Sequence, residues 1–134
     1  MNSPLPARLF IALGALAAAF AVGLGAAAAH VPAVMAAAAT PGFVSALQLH
    51  QFHALGLMIT GLAALHWPNS RWLFLAGVLM LYGLLAFSGN LYLRTLVGID
   101  TFRALVPSGG GAWMLGWLAL VVGVARGRVE RIVP

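Results

Sequence analysis

Residues 71–94 read Arg71-Trp72-Leu73-Phe74-Leu75-Ala76-Gly77-Val78-Leu79-Met80-Leu81-Tyr82-Gly83-Leu84-Leu85-Ala86-Phe87-Ser88-Gly89-Asn90-Leu91-Tyr92-Leu93-Arg94, with no charge between the two arginines. At about 1.5 Å of rise per residue, a helix carries one arginine about 34 Å from the other, against a hydrocarbon core of about 30 Å. An arginine at mid-bilayer costs about 2.5–3.5 kcal/mol on insertion scales. The favourable arrangement therefore sets Arg71 and Arg94 at opposite membrane interfaces, with a span over 72–93. Trp67, Trp72 and Tyr92 then fall at the depths of the interfacial aromatic belts.

The rest of the chain follows the same pattern. Of its 134 residues, 63% are hydrophobic and 7% charged, whereas soluble domains carry about 25% charged residues. A first apolar block covers 9–29, behind Arg8. Its small-residue end, Gly25-Ala26-Ala27-Ala28-Ala29, resembles a signal-peptide cleavage site, but the run exceeds the roughly 7–15 residues of a signal core and is read as a retained helix. A second block, 41–65, opens at Thr40, a helix cap, and Pro41, which suits the first helical position because its missing N–H leaves nothing unsatisfied. The His66-Trp67-Pro68-Asn69-Ser70 turn makes the second and third blocks antiparallel neighbours. A fourth block, 108–125, follows Pro107-Ser108-Gly109-Gly110-Gly111. The expectation is an all-α integral membrane four-helix bundle of up-down topology, a single transmembrane domain over 1–134.

Orientation follows from the arginines. With four spans, Arg8, Arg71, Arg126, Arg128 and Arg131 share one side, whereas Arg94 and Arg103 share the other with Asp100. The positive-inside rule makes both termini cytoplasmic. The formal charge of +5 therefore marks span ends rather than the clustered basic face of a nucleic-acid binder. No nucleic-acid partner is expected. The lipid bilayer is, together with a larger membrane complex or a homo-oligomer. Small residues every four positions (Ala15, Ala19, Gly23 and Ala27 in the first helix, Ala112 and Gly116, then Ala119 and Gly123, in the fourth) are candidate faces for close helix packing.

The polar residues inside the spans are the candidate site. His30, Gln48, His50, Gln51, His53, Ser88, Asn90 and Ser108 all fall toward the non-cytoplasmic ends of their blocks, and intramembrane polar groups generally face the bundle interior. His50 and His53 share a helix face. With His30 they supply imidazole nitrogens for zinc, copper or haem. The plainer reading is hydrogen bonding to Asn90, Ser88 or backbone carbonyls, at about 0.6–2 kcal/mol per bond in membranes; proton handling is a third. Tyr82 calls for a hydrogen-bond partner. The chain has no cysteine, and its two carboxylates, Asp100 and Glu130, fall on opposite sides. No catalytic acid–base pair or nucleophile is apparent.

Four stretches carry a resemblance: Leu24-Gly25-Ala26-Ala27-Ala28-Ala29-His30, Phe52-His53-Ala54-Leu55, Phe87-Ser88-Gly89-Asn90-Leu91-Tyr92, and Pro107-Ser108-Gly109-Gly110 followed by Gly116-Trp117. In this order they resemble the domain-of-unknown-function family 423, the small YgdD-like inner-membrane proteins. The resemblance implies a four-span protein of the cell inner membrane and brings no biochemical activity with it. The family pattern matches His30, His53, Ser88 and Gly89. It differs at His50, where a glutamine is expected, and in a 31–43 connection that lacks charges. The leading expectation is a multi-pass protein without catalysis, an accessory subunit of a larger membrane complex. Histidine-based metal or haem binding and a small-solute or proton pathway are the alternatives.

Overall fold

A computed structural model of the chain describes residues 5–127, and all regular structure among them is helical. Helix α1 is Leu5–His30, α2 is Pro32–Ala38, α3 is Pro41–His66 and α4 is Arg71–Gly83. The chain continues from α4 through a widened π-helical stretch, Leu84–Gly89, a single turn, α5 (Asn90–Tyr92), and a second π-helical stretch, Leu93–Val97. A short 3-10 turn at Arg103–Leu105 leads into α6, Val106–Ala125. Arg128, Glu130 and Arg131 lie outside the described residues.

Leu5–His30, Arg71–Val97 and Arg103–Ala125 are each long and apolar enough to cross a membrane. Helix α3, at 26 residues, is long enough, but its two glutamines and two internal histidines dilute its apolar character. It qualifies only together with α2, from which it is bent by 92°. The described residues thus hold three to four candidate spans.

Two local features depart from the sequence reading. The 31–43 connection is itself partly helical, because Pro32 starts about two helical turns that run through the following alanines. Thr40 then joins the two helices. Its hydroxyl donates to the Ala37 carbonyl at 2.6 Å and accepts from the Phe43 N–H, capping α3. The third block also continues past Leu93 to Val97. An interfacial arginine does not stop a helix. Termination comes at Gly98, whose φ of 78° only glycine adopts without strain, and whose N–H returns to the Arg94 carbonyl. In the widened stretches side chains take up backbone carbonyls: Asn90 Nδ2 donates to Ala86 O and Thr95 Oγ1 to Leu91 O, each at 2.7 Å.

Close approach of backbones sets the packing. A methyl at Gly14 in α1 would lie 2.8 Å from the Ala54 carbonyl of α3, and one at Gly61 in α3 would lie 2.8 Å from the Ala7 carbonyl of α1. Helices in lipid gain little from apolar burial against each other, so such contacts carry association. In α6, Ala112, Gly116, Ala119 and Gly123 are all buried, against α4 and its extension. The first-helix register is different. Ala15, Ala19 and Gly23 face outward, Ala27 is half-buried, and the packed face is Ala7, Phe10, Gly14 and Ala21. Alanine is so abundant in α1 that spacing did not single out the contact face. Phe10, Leu57, Met80 and Trp113 form the central core, joining α1, α3, α4 and α6.

Candidate functional site

The N-terminal half of α3 presents two imidazoles inward, His50 at 5% and His53 at 4% exposure. His53 lies flat on the Trp113 indole, ring centroids 3.8 Å apart and planes within 6°. Its Nδ1 is 2.8 Å from the Leu49 carbonyl, one turn earlier, and its Nε2 is 3.2 Å from the indole N–H of Trp117. A carbonyl only accepts and an indole N–H only donates. Nδ1 therefore carries the proton, Nε2 holds the lone pair, and the ring is the neutral tautomer. Both nitrogens are engaged, and a metal at Nε2 would have to displace Trp117.

His50 sits one turn nearer the Thr40 end. Its Nδ1 is 2.9 Å from the Tyr92 hydroxyl, a link between α3 and α5, and Phe20 of α1 packs against the same ring with centroids 6.0 Å apart. Ser88 is buried and donates to the Ala46 carbonyl at 2.9 Å, tying the π-helical stretch to α3. The Trp113 indole N–H donates to the Met80 carbonyl at 3.2 Å, tying α6 to α4. Among the described residues no buried side-chain nitrogen or oxygen lacks a partner.

The predicted polar cluster therefore divides. His50, His53 and Ser88 are brought into the interior, whereas Gln48 and Gln51 face outward from α3. His30 is exposed at the end of α1, and no group of three histidines or carboxylates among the described residues can hold a metal ion. Helical pitch explains the separation: positions 50 and 53 share one face of α3, and 48 and 51 fall beside it. Asn90 bonds within its own helix. Ser108 is exposed, donates to the Leu105 carbonyl at 2.6 Å, and so accepts the Tyr82 hydroxyl proton at 2.8 Å. That supplies the partner Tyr82 calls for.

Three members of the site were not singled out from sequence as such. Tyr92, read as part of an interfacial belt, is buried against His50. Trp113 and Trp117, four apart on α6, face Gly83 and Gly56 respectively, where a Cβ would collide with the indoles. Large aromatics at i and i+4, opposite glycines on other helices, were the available signal.

Beside this polar layer, α1 and α4 barely touch. Between them runs an apolar groove of about 710 Å³, lined by Leu13, Leu16 and Phe20 on one wall, Leu81 and Leu85 on the other, and His50 with Tyr92 at one end.

The family model for the Protein of unknown function (DUF423) matches residues 24–110, which contain the whole of α2, α3, α4 and α5. The UPF0382 membrane protein YwdK of Bacillus subtilis is 34% identical over 120 residues, covering 89% of this chain and 98% of that protein. A UPF0382 membrane protein of Staphylococcus saprophyticus is 36% identical over 118 residues, 87% of this chain and 96% of its own. The UPF0382 inner membrane protein YgdD of Escherichia coli is 31% identical over 121 residues, 89% and 91% of the two chains. No solved structure matches. With several apolar helices of spanning length and membrane-protein relatives along nearly its whole length, this is a multi-pass protein of the cell inner membrane, and it belongs to the DUF423 family.

Proposed function

We propose that the chain is a non-catalytic accessory subunit of a larger membrane complex, built as a four-span up-down bundle with both termini in the cytoplasm. One observation supports this best: apart from Thr60, which bonds within α3, the buried polar side chains of the described residues fasten one helical segment to another. His50 to Tyr92, His53 to Trp117, Ser88 to Ala46 and Trp113 to Met80 each join two different helical segments. Such bonds hold a rigid body in lipid, and a rigid body with an apolar groove presents a fixed surface to a partner helix. In this reading the groove between Leu16 and Leu85 seats a transmembrane helix of that partner.

The topology rests on charge and on length. Arg8, Arg71 and Arg126 belong to one end of the bundle. At the other, Asp100 offsets Arg94 at 3.4 Å and Arg103 at 4.0 Å. In this arrangement α3 crosses the membrane and α2, nearly perpendicular to it, lies along the interface.

The test is mild-detergent purification of the full chain beside a groove-filling Leu16→Trp/Leu85→Trp variant. The expected result is a stoichiometric complex with one membrane protein, lost in the variant while the bundle stays folded. Recovery of the monomer alone under several mild detergents, or a complex indifferent to the groove, overturns the accessory reading.

A further inference from the structure

At the end of the molecule opposite the imidazole pair, the α3–α4 turn and the C-terminal end of α6 flank an open cavity of about 710 Å³. Trp67 and Asn69 line it from the turn, Arg71 and Trp72 from the start of α4, and Arg126 and Gly127 from just beyond α6. We propose that this cavity binds the phosphodiester headgroup of an anionic phospholipid.

Three observations carry this. First, the two guanidiniums bring positive charge to one cavity, and among the described residues the ion pairs of the chain are both made to Asp100, at the other end. The chain's second acid, Glu130, lies outside the described residues. Arginine's planar fork matches phosphate oxygens two at a time.

Second, the walls are preformed. The Arg126 guanidinium lies 5.6 Å from the centre of the Trp72 ring, which holds the charge over an aromatic face instead of letting it range through solvent. Gly127 is pressed on Trp67 so closely that a Cβ there would lie 2.5 Å from the indole. The end of α6 and the turn are thus held against each other.

Third, the position and lining of the cavity suit a lipid headgroup. It sits where two spans end, and two tryptophans, the residues enriched at headgroup level, form part of its lining. Basic pockets between spans at this level recognise anionic headgroups. Free phosphate offers the same oxygens but has no tails to anchor it beside the exposed Trp72.

The full chain is purified in neutral detergent and titrated with phosphatidylglycerol, phosphatidylcholine or inorganic phosphate, reading retained lipid by native mass spectrometry and thermal stability in parallel. The expected result is retention of phosphatidylglycerol and a raised Tm, with at least tenfold weaker retention in Arg71→Gln/Arg126→Gln and no change in Arg94→Gln. If the double variant is not monodisperse, Arg126→Gln alone is read; it removes an outward-facing cation, and a several-fold loss is expected. Equal retention of phosphatidylcholine, binding unchanged by loss of the arginines, or equal loss in Arg94→Gln overturns the proposal. Stabilisation by inorganic phosphate alone, without lipid retention, overturns the lipid assignment and leaves a small-anion site.

Discussion

The indole N–H of Trp117 donates to Nε2 of His53 across 3.2 Å, joining α6 to α3 and fixing which nitrogen of the imidazole is protonated. The contact explains why a histidine sits buried inside α3. Its ring bridges a carbonyl of its own helix and a donor of another, with Trp113 stacked on its face. Replacing Trp117 by phenylalanine keeps most of the packing and removes the donor. Destabilisation of about 1–2 kcal/mol is expected, from the lost intramembrane bond and the unpaired lone pair. Unfolding in mixed micelles measures it, and an unchanged midpoint would show that the bond adds nothing.

His50 and Tyr92 form the second cross-link, at 2.9 Å. Tyr92→Phe and His50→Ala are expected to be non-additive. A double-mutant cycle is expected to return a coupling of about 0.5–1.5 kcal/mol, within the range seen for contacting residues. Additive effects would mean that the two groups are neighbours without an energetic link.

Helix contact in α1 separates cleanly by position. Gly14→Leu places atoms where the Ala54 carbonyl and Met58 already lie, whereas Gly23 has nothing within 4 Å of an added Cβ. Gly14→Leu is expected to cost about 1–3 kcal/mol or to prevent folding, as overpacking does. Gly23→Leu is expected to be neutral. Protease resistance of the two proteins in detergent checks this, and equal sensitivity would refute the assigned packing face.

The committed nitrogens of His53 also predict its response to metals. Zinc or copper added to purified protein is expected to leave its thermal midpoint unchanged, and nitrogen NMR is expected to show the Nδ1–H tautomer of His53. A stabilising shift with either metal, abolished by His53→Ala, would contradict the hydrogen-bond assignment.

Much of this architecture is written in composition and punctuation. The charge-free run between Arg71 and Arg94 marks a span because arginine is costly in hydrocarbon, and Thr40-Pro41 marks the start of α3 because only certain residues satisfy a first turn. Ala112, Gly116, Ala119 and Gly123 stand out because the residues between them are mostly bulky. In α1, small residues fill about half of the positions and occur on every face, and the packed face is set by where Gly61 and Ala54 of α3 fall. The π-helical widening, the α2 turn and the inward turn of Tyr92 depend on tertiary partners and left no periodic trace. Of the histidines read as a group of three, His50 and His53 share a face of α3, and His30 is left apart at the exposed end of α1. The partners that fix His53, Trp113 and Trp117, come from a helix some 60 residues further along the chain, and Tyr92, which holds His50, from another distant segment.

The central claim is that α3 crosses the bilayer, so that the two ends of the bundle lie on opposite sides. The chain contains no cysteine, so single cysteines can be read against a silent background. Ala39→Cys in the bend between α2 and α3 and Asn69→Cys in the α3–α4 turn are labelled with a membrane-impermeant maleimide in intact cells stripped of their outer barrier, and again after lysis. The account predicts labelling of position 39 before lysis and of position 69 only after it. Labelling of both positions from the same side would contradict it.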